Sequence, residues 1–381
     1  MRDIAWNDPA LAIRGALDLH RTARGLSPRR LPAWTAAKML DPSLAFMARM
    51  TSGVRLALRT NAKWIELDVL ETGLRIDRGA RVPAVFDLRV DGVLVQRRTV
   101  EHGNTLEVDF TATPAKTSML AGVHSTLTFD LSGEAMRDVD IWLPQSAGAE
   151  LLGLRISSEA LALPPTGNRR RWAHYGSSIS HGMEAAGPSD TWPAVAARRA
   201  GVDLTSLGFA GQCHLDGVVA RVLRDCDADL ISLKLGINVV NLDSMRERVF
   251  IAATNEFLDT IRADKKTTPI LVVSPIICPA VEDHPGPTLR DGGGIRISAR
   301  ASEISAGALT LRRIRDILTQ VVEYRRRGGD VNLHYLDGLC LFDKKDTADL
   351  PDGLPPNARG QVLMGERFAA LTFGPGGAFQ T

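Results

Sequence analysis

Residues 172–182 read WAHYGSSISHG. An apolar run suited to a strand stops at Gly176, two serines follow, and the pattern of a helix begins directly after them. A serine on a tight turn from strand to helix is exposed at the top of a sheet, where the first amides of the helix carry partial positive charge. Ser178 is therefore the candidate nucleophile, and the same turn offers a place for negative charge to form.

Downstream, strands and helices alternate. WAHY (172–175), DLTSL (203–207), DLISLKL (229–235), ILVVSP (270–275) and NLHYLD (332–337) are apolar runs, with helical spacing after each near 191–200, 215–225, 245–263, 308–327 and 358–371. This alternation predicts an α/β domain, a five-stranded parallel sheet sandwiched by helices in flavodoxin-like fashion. Ligands of such sheets bind beyond the carboxyl ends of the strands. The residues there are Gly176 to Ser178, then Gly208 to His214, then Gly236 to Asn238, and, past the fifth strand, LPDGLPPNARGQ with Asp352.

Upstream, the texture from about Met50 differs. VRLALRT, KWIELDVL, AVFDLRVDG, TLEVDFTA, STLTFDLS and DVDIWLPQ are short and alternating, the pattern of an antiparallel β-sandwich. Asp91-Gly92 between Val90 and Val93 suits a type I′ hairpin. The first forty residues mix helical spacing with prolines and define no element. Pro164, Pro165, Thr166, Gly167 and Asn168 read as a linker, so the expected organisation is an all-β sandwich over 1–163 and an α/β catalytic domain over 164–381. The sandwich carries little nucleophilic or metal-binding chemistry and suits a structural or binding module.

A net charge of +2 over 381 residues gives no basic excess for nucleic acid or an anionic membrane surface. Cys213, Cys226, Cys278 and Cys340 have neither C-x-x-C spacing nor companion histidines, so neither a metal nor a disulfide framework is expected. No apolar run is long enough to span a bilayer and the first residues lack the pattern of a secretory leader; a cytoplasmic, reduced protein is expected. No cofactor motif is present, and Gly292 to Gly294 read as flexible loop.

The order GSSIS, a glycine after strand two, GIN, and DGLPPN resembles the blocks of the SGNH or GDSL family of esterases and acyltransferases, over roughly 165–375. The β-rich first domain is similar to the carbohydrate-binding-like sandwich that precedes this domain in some actinobacterial members, including acyltransferases that decorate polyketides. The resemblance implies that Ser178 is the nucleophile, that the Ser178 amide, the Gly211 amide and the Asn238 side chain form the oxyanion hole, and that Asp352 is the acid of the final block. It further implies small-molecule partners, namely an acyl donor, which can be a thioester co-substrate, and a hydroxyl acceptor, with transfer favoured over hydrolysis.

Two departures matter. Ser177 stands where the family usually has aspartate, which leaves the nucleophile intact. The family's final block is D-x-x-H, and counting from Asp352 the histidine position is Pro355, which has no acid or base function. Three explanations compete: another base among His181, His214 and His284; a reactive donor that needs little help; or a protein that has lost catalysis and binds an acyl or carbohydrate ligand. His174 and His334, inside strands, are expected to be packing residues. Asp352 is expected to act in catalysis, or else to cap the following helix or bind the Asn357 region, and Lys234 to snorkel to a sheet edge. The long loop 277–306 is expected to be a lid or wall, or a surface insertion.

Overall fold

The computed structural model describes residues 1–77, 79–109, 116–133, 135–167, 169–291 and 294–380. Phe110 to Ala112 of TLEVDFTA, Asn168 of the linker, and Gly292 and Gly293 lie outside the described residues. The chain forms two units, one of Met1–Ala37, Ala45–Arg169 and Gly187–Ser189, the other of Lys38–Leu44, Arg170–Ala186 and Asp190–Thr381.

The first unit is built of an eight-stranded and a six-stranded sheet. Strand Trp64–Ile76 shows why: Ile65, Leu67 and Val69 are buried while Glu66 and Asp68 between them are half-exposed, the period-two pattern of a sheet with one wet face. Ile65, Leu67 and Val69 share one core with Leu56, Phe86, Leu88, Phe129, Ile141 and Leu151. Each such side chain contributes about 1.5–3 kcal/mol on burial. The expected hairpin is present, with Val90 paired to Val93 and φ of +48° at Asp91 and +80° at Gly92. Not every pairing is antiparallel: Thr72 to Ile76 run parallel to Asn104 to Val108. The first forty residues supply strands Arg2–Asp3, Ala12–Arg14, Asp18–Arg21 and Leu26–Arg29, too short for alternation to declare them. The carboxylate of Asp87, fully buried, pairs with Arg97 Nε at 2.6 Å and accepts the Ser189 amide at 3.1 Å and its hydroxyl at 2.7 Å.

The second unit carries the parallel sheet in the order Asp203–Gly208, Arg171–Gly176, Leu230–Lys234, Ile270–Val273, Leu333–Leu336. Alternation along the first strand sends Trp172 to one face, where it stacks on Phe368 at 5.2 Å, and Tyr175 to the other, where it stacks on Phe257 at 5.3 Å. Helices Trp192–Ala200, Gly217–Asp225, Glu247–Arg262, Leu311–Arg327 and Ala358–Phe373 follow the five strands. The segment 277–306 is more ordered than a plain loop: it holds 3-10 turns at Pro279–Val281 and Ser302–Ile304 and a small hairpin of Thr288–Asp291 with Gly294–Ile297. Lys234 does not snorkel to an edge. Its strand is the middle one of five, the side chain is 1% exposed, and its Nζ has no hydrogen-bond partner among the described residues.

Candidate functional site

The strand Arg171–Gly176 ends in a single helical turn, Ser178–His181, capped by extended Ser177 and closed by left-handed Gly182, whose amide returns to the Ser178 carbonyl. Ser177, Ile179, Ser180 and His181 are buried, whereas Ser178 is half-buried, so among these five residues it is the one that solvent reaches. One turn of helix has no stability of its own, because nucleation is unfavourable and only tertiary contacts can offset it. Those contacts are present. The Ile179 carbonyl accepts Gln361 Nε2 at 3.2 Å, and Gln361 Oε1 accepts the Trp192 amide at 3.0 Å. Two glycines allow the close approach: a Cβ at Gly176 would come within 3.0 Å of the Ser180 side chain, and one at Gly208 within 3.0 Å of the His181 amide.

Beyond the second strand the chain turns through Phe209 to Gln212, with Gly211 at φ +71°, a left-handed conformation that favours glycine. His214 braces this turn, with Nε2 on the Gly211 carbonyl at 3.0 Å and Nδ1 on Ser244 Oγ at 2.9 Å. A carbonyl only accepts, so Nε2 carries the hydrogen, and the other nitrogen is engaged with a serine. His181 is likewise occupied: its Nδ1 accepts the Ala210 amide at 3.2 Å, so that lone pair is spent on the turn. Both histidines hold backbone in place. His284 is exposed on the segment after Pro279–Val281.

After the third strand, Gly236 at φ +113° leads into the helix Ile237–Asn241. Asn238 is 4% exposed, and its Oδ1 accepts the Cys213 amide at 3.0 Å. The amide oxygen being used, Nδ2 is the group left to donate. The Cys213 thiol meets the Lys234 carbonyl at 3.6 Å, and burial pushes that thiol up to about 12, which keeps it protonated. The first three sequence blocks are thus directly joined, the first to the second through His181 and Ala210, the second to the third through Cys213 and Asn238.

In the fourth block Asp352 is half-buried and Pro355 buried. The Gly353 carbonyl accepts the Cys278 thiol at 3.3 Å, and the Gly294 hairpin strand runs beside the Asp352 carbonyl. The following helix is capped by Asn357, which accepts the Gly360 amide at 3.0 Å; the carboxylate that receives Asn357 Nδ2, at 3.1 Å, is that of buried Asp349. Capping is therefore the work of Asn357, held by Asp349, and not of Asp352; the sequence reading named Asn357 but missed Asp349, which lies outside the D-x-x-H block.

The packing role expected of His174 is incomplete. It is fully buried but hydrogen-bonded at both ring nitrogens, Nδ1 to Ser232 Oγ at 2.7 Å and Nε2 to Ser180 Oγ at 2.8 Å, while Trp172 Nε1 donates to the same Ser232 oxygen at 2.8 Å. Burial, helped by the nearby Lys234, lowers the imidazole from 6.5 to about 3, so the ring is neutral near pH 7. Burial also lowers the Lys234 amine from 10.5 to about 8, with Arg315 pushing the same way and Cys213 opposing. The available signal in the sequence was a polar residue at alternate positions of apolar strands, His174 in one and Ser232 and Lys234 in the next.

A five-stranded parallel sheet with these blocks at its carboxyl ends, following a β-rich unit, defines an SGNH-fold protein. The model of the GDSL-like Lipase/Acylhydrolase family matches residues 169–278. The salicylyl-acyltransferase SsfX3 from a tetracycline biosynthetic pathway is 30% identical, with 96% of this chain and 95% of that one covered and a TM-score of 0.81. A GDSL-like lipase from Bacteroides ovatus is 19% identical, with 94% of each chain covered and a TM-score of 0.64. A family two carbohydrate esterase from Clostridium thermocellum is 14% identical over 94% of this chain and 97% of its own, at a TM-score of 0.61. At such identity the last two attest the fold alone. No curated protein matches in sequence. The chain belongs to the GDSL-like lipase/acylhydrolase family.

Proposed function

We propose that the protein is an acyltransferase in which Ser178 takes an acyl group from an ester or thioester donor and passes it to the hydroxyl of a small molecule. The observation that carries the reading is the end-to-end similarity to a salicylyl-acyltransferase, 30% identical across both units. Ser178 Oγ bonds to the carbonyl carbon, the carbonyl oxygen becomes an oxyanion, and the amides of Ser178 and Gly211 with Asn238 Nδ2 are the donors assigned to it. The leaving thiol or alcohol departs with the serine proton; the acceptor hydroxyl then attacks the acyl-serine carbonyl, the bond to Ser178 Oγ breaks as the new ester forms, and the acceptor's proton ends on Ser178 Oγ, restoring the free serine. Asp352 is assigned to the same site. No metal or cofactor takes part in this scheme; the thioester is a co-substrate.

A second reading, a binding protein derived from such an enzyme, is favoured by Pro355 at the position where the family carries its base. In that case the β-rich unit supplies affinity for a carbohydrate or glycosylated ligand. Ser178→Ala, tested against the parent with a small activated ester and an acyl thioester, separates the two. Transfer predicts a measurable parental rate that the variant loses; equal rates reject the nucleophile and leave the binding reading.

A further inference from the structure

The turn that carries Ser178 is gripped from below by a buried polar chain with no counterpart in the scheme above. Trp172 Nε1 donates to Ser232 Oγ at 2.8 Å, Ser232 Oγ meets His174 Nδ1 at 2.7 Å, and His174 Nε2 meets Ser180 Oγ at 2.8 Å. Ser180 lies two residues after Ser178 within the same single turn. From these contacts we infer that His174 is a positioning residue of the acyl-transfer site, holding the Ser178 turn in register through Ser180. The inference rests on the assignment of Ser178 as nucleophile.

Three observations support it. Imidazole, both serines and the indole nitrogen are all buried, and a buried polar group is costly unless paired, so each link constrains the next. A neutral imidazole has one N–H and one lone pair, and a serine can complement either, so the chain closes in both tautomers. Protonation would spoil this complementarity, and the site resists it: burial and the neighbouring Lys234 hold the ring neutral down to about pH 3. The empty space above Gly176 is what lets Ser180 reach down to the ring, since a Cβ there would collide with the Ser180 side chain and also come within 3.2 Å of His174 Nε2. A histidine used only to fill the core would need neither the serine at 180 nor the glycine at 176.

His174 does not itself take the Ser178 proton in this role. Its two nitrogens are committed to Ser180 and Ser232, so its effect on the reaction is carried by the angle at which the turn presents Ser178. An ångström of misplacement at a reacting atom can reduce a rate about 100-fold.

The test uses the full chain and a fluorophosphonate reagent, which phosphonylates an activated serine with loss of fluoride whatever the natural acyl donor is. His174→Phe, Ser180→Ala and the double variant are compared with the parent and with Ser178→Ala, measuring maximal labelling rate, half-saturating reagent concentration, pH profile and melting temperature. The expected result is a labelling rate reduced about 10- to 100-fold in both single variants, no further reduction in the double, and unchanged half-saturation and pH profile. Ser180→Ala removes one oxygen and is the variant that folds if His174→Phe does not. Parental labelling rates in the variants, effects that multiply in the double, or loss of an ionisation from the profile of His174→Phe would each overturn the positioning role. A parent that is not labelled at Ser178 would instead overturn the nucleophile assignment, and the positioning role with it.

Discussion

Asn238 has an observed contact and a proposed role that a pair of substitutions can separate. Its Oδ1 accepts the amide of Cys213, a residue 1% exposed, and its Nδ2 is the donor assigned to the oxyanion. Asn238→Ala removes both functions and leaves a buried N–H without an acceptor, a loss of about 1–3 kcal/mol in stability. Asn238→Asp keeps an oxygen for the Cys213 amide but buries a carboxylate, so it too loses stability, while a developing oxyanion meets a like charge where the donor was. Loss of one oxyanion donor raises the barrier by about 3–4 kcal/mol, or 10²–10³ in kcat. Both variants should therefore lose at least about 100-fold in acyl-enzyme formation from an activated ester, read as the burst rate in rapid mixing. Both melting temperatures should fall below that of the parent. An Asn238→Asp variant that keeps most of the parental burst rate would refute the donor assignment. If both variants lost rate only in proportion to melting temperature, Asn238 would be a structural link between the second and third strand ends and nothing more.

Pro355→His restores the family residue and should raise hydrolysis of an oxygen ester by about 100-fold or more, with a smaller gain on the matching thioester; a stopped assay on the two esters reads the difference. Lys234→Met should be more stable than the parent at pH 7 by about 3 kcal/mol. Because the folded amine titrates near 8 and the unfolded one at 10.5, the unfolded chain binds more protons in that window, so the parent gains stability as pH rises and the gap between the two closes; melting temperatures from pH 7 to 10.5 test this. Arg97→Met leaves the buried Asp87 carboxylate with only Ser189 as a hydrogen-bond partner from the set described above and should lower the stability of the β-rich unit by about 3 kcal/mol, seen by calorimetry as a depressed transition.

The α/β half was legible because its central strands are buried on both faces and read as continuous apolar runs, with a chemistry-bearing residue soon after each of the first three. Arg171–Gly176, Leu230–Lys234 and Ile270–Val273 lie within a residue or two of where WAHY, DLISLKL and ILVVSP placed them. What escaped was pairing over long separations. Gln361 grips Ile179 from 182 residues away, and no local pattern announces that a glutamine on the last helix steadies the Ser178 turn. His181 and His214 looked like candidate bases because sequence shows a histidine's proximity and not its hydrogen bonds; each spends its accepting nitrogen on the turn or on Ser244. Lys234 was misjudged for a related reason: its strand is the middle one of five, far from either edge, and the sequence does not show what packs over the side chain and buries it.

Pro355 bears on which acyl donors the site can use. In an oxygen ester the departing alkoxide is a strong base, comparable with hydroxide, and it cannot leave at neutral pH without an acid beside it. In a thioester the departing thiolate has a pKa of about 8.5 and leaves unaided. That thiolate is also basic enough to take the proton of the attacking serine, so the first half of the transfer balances with no imidazole at 355. The second half needs a proton removed from the acceptor hydroxyl, and an acceptor with a weakly acidic hydroxyl, phenolic for instance, lessens the demand. Water, with a higher pKa and no binding contacts to hold it, is the acceptor that gains least from such a site. Loss of the histidine therefore disfavours hydrolysis more than transfer. This is why restoring it in Pro355→His should help the oxygen ester more than the thioester, and an equal gain on both would mean that the base, and not the leaving group, limits the parent.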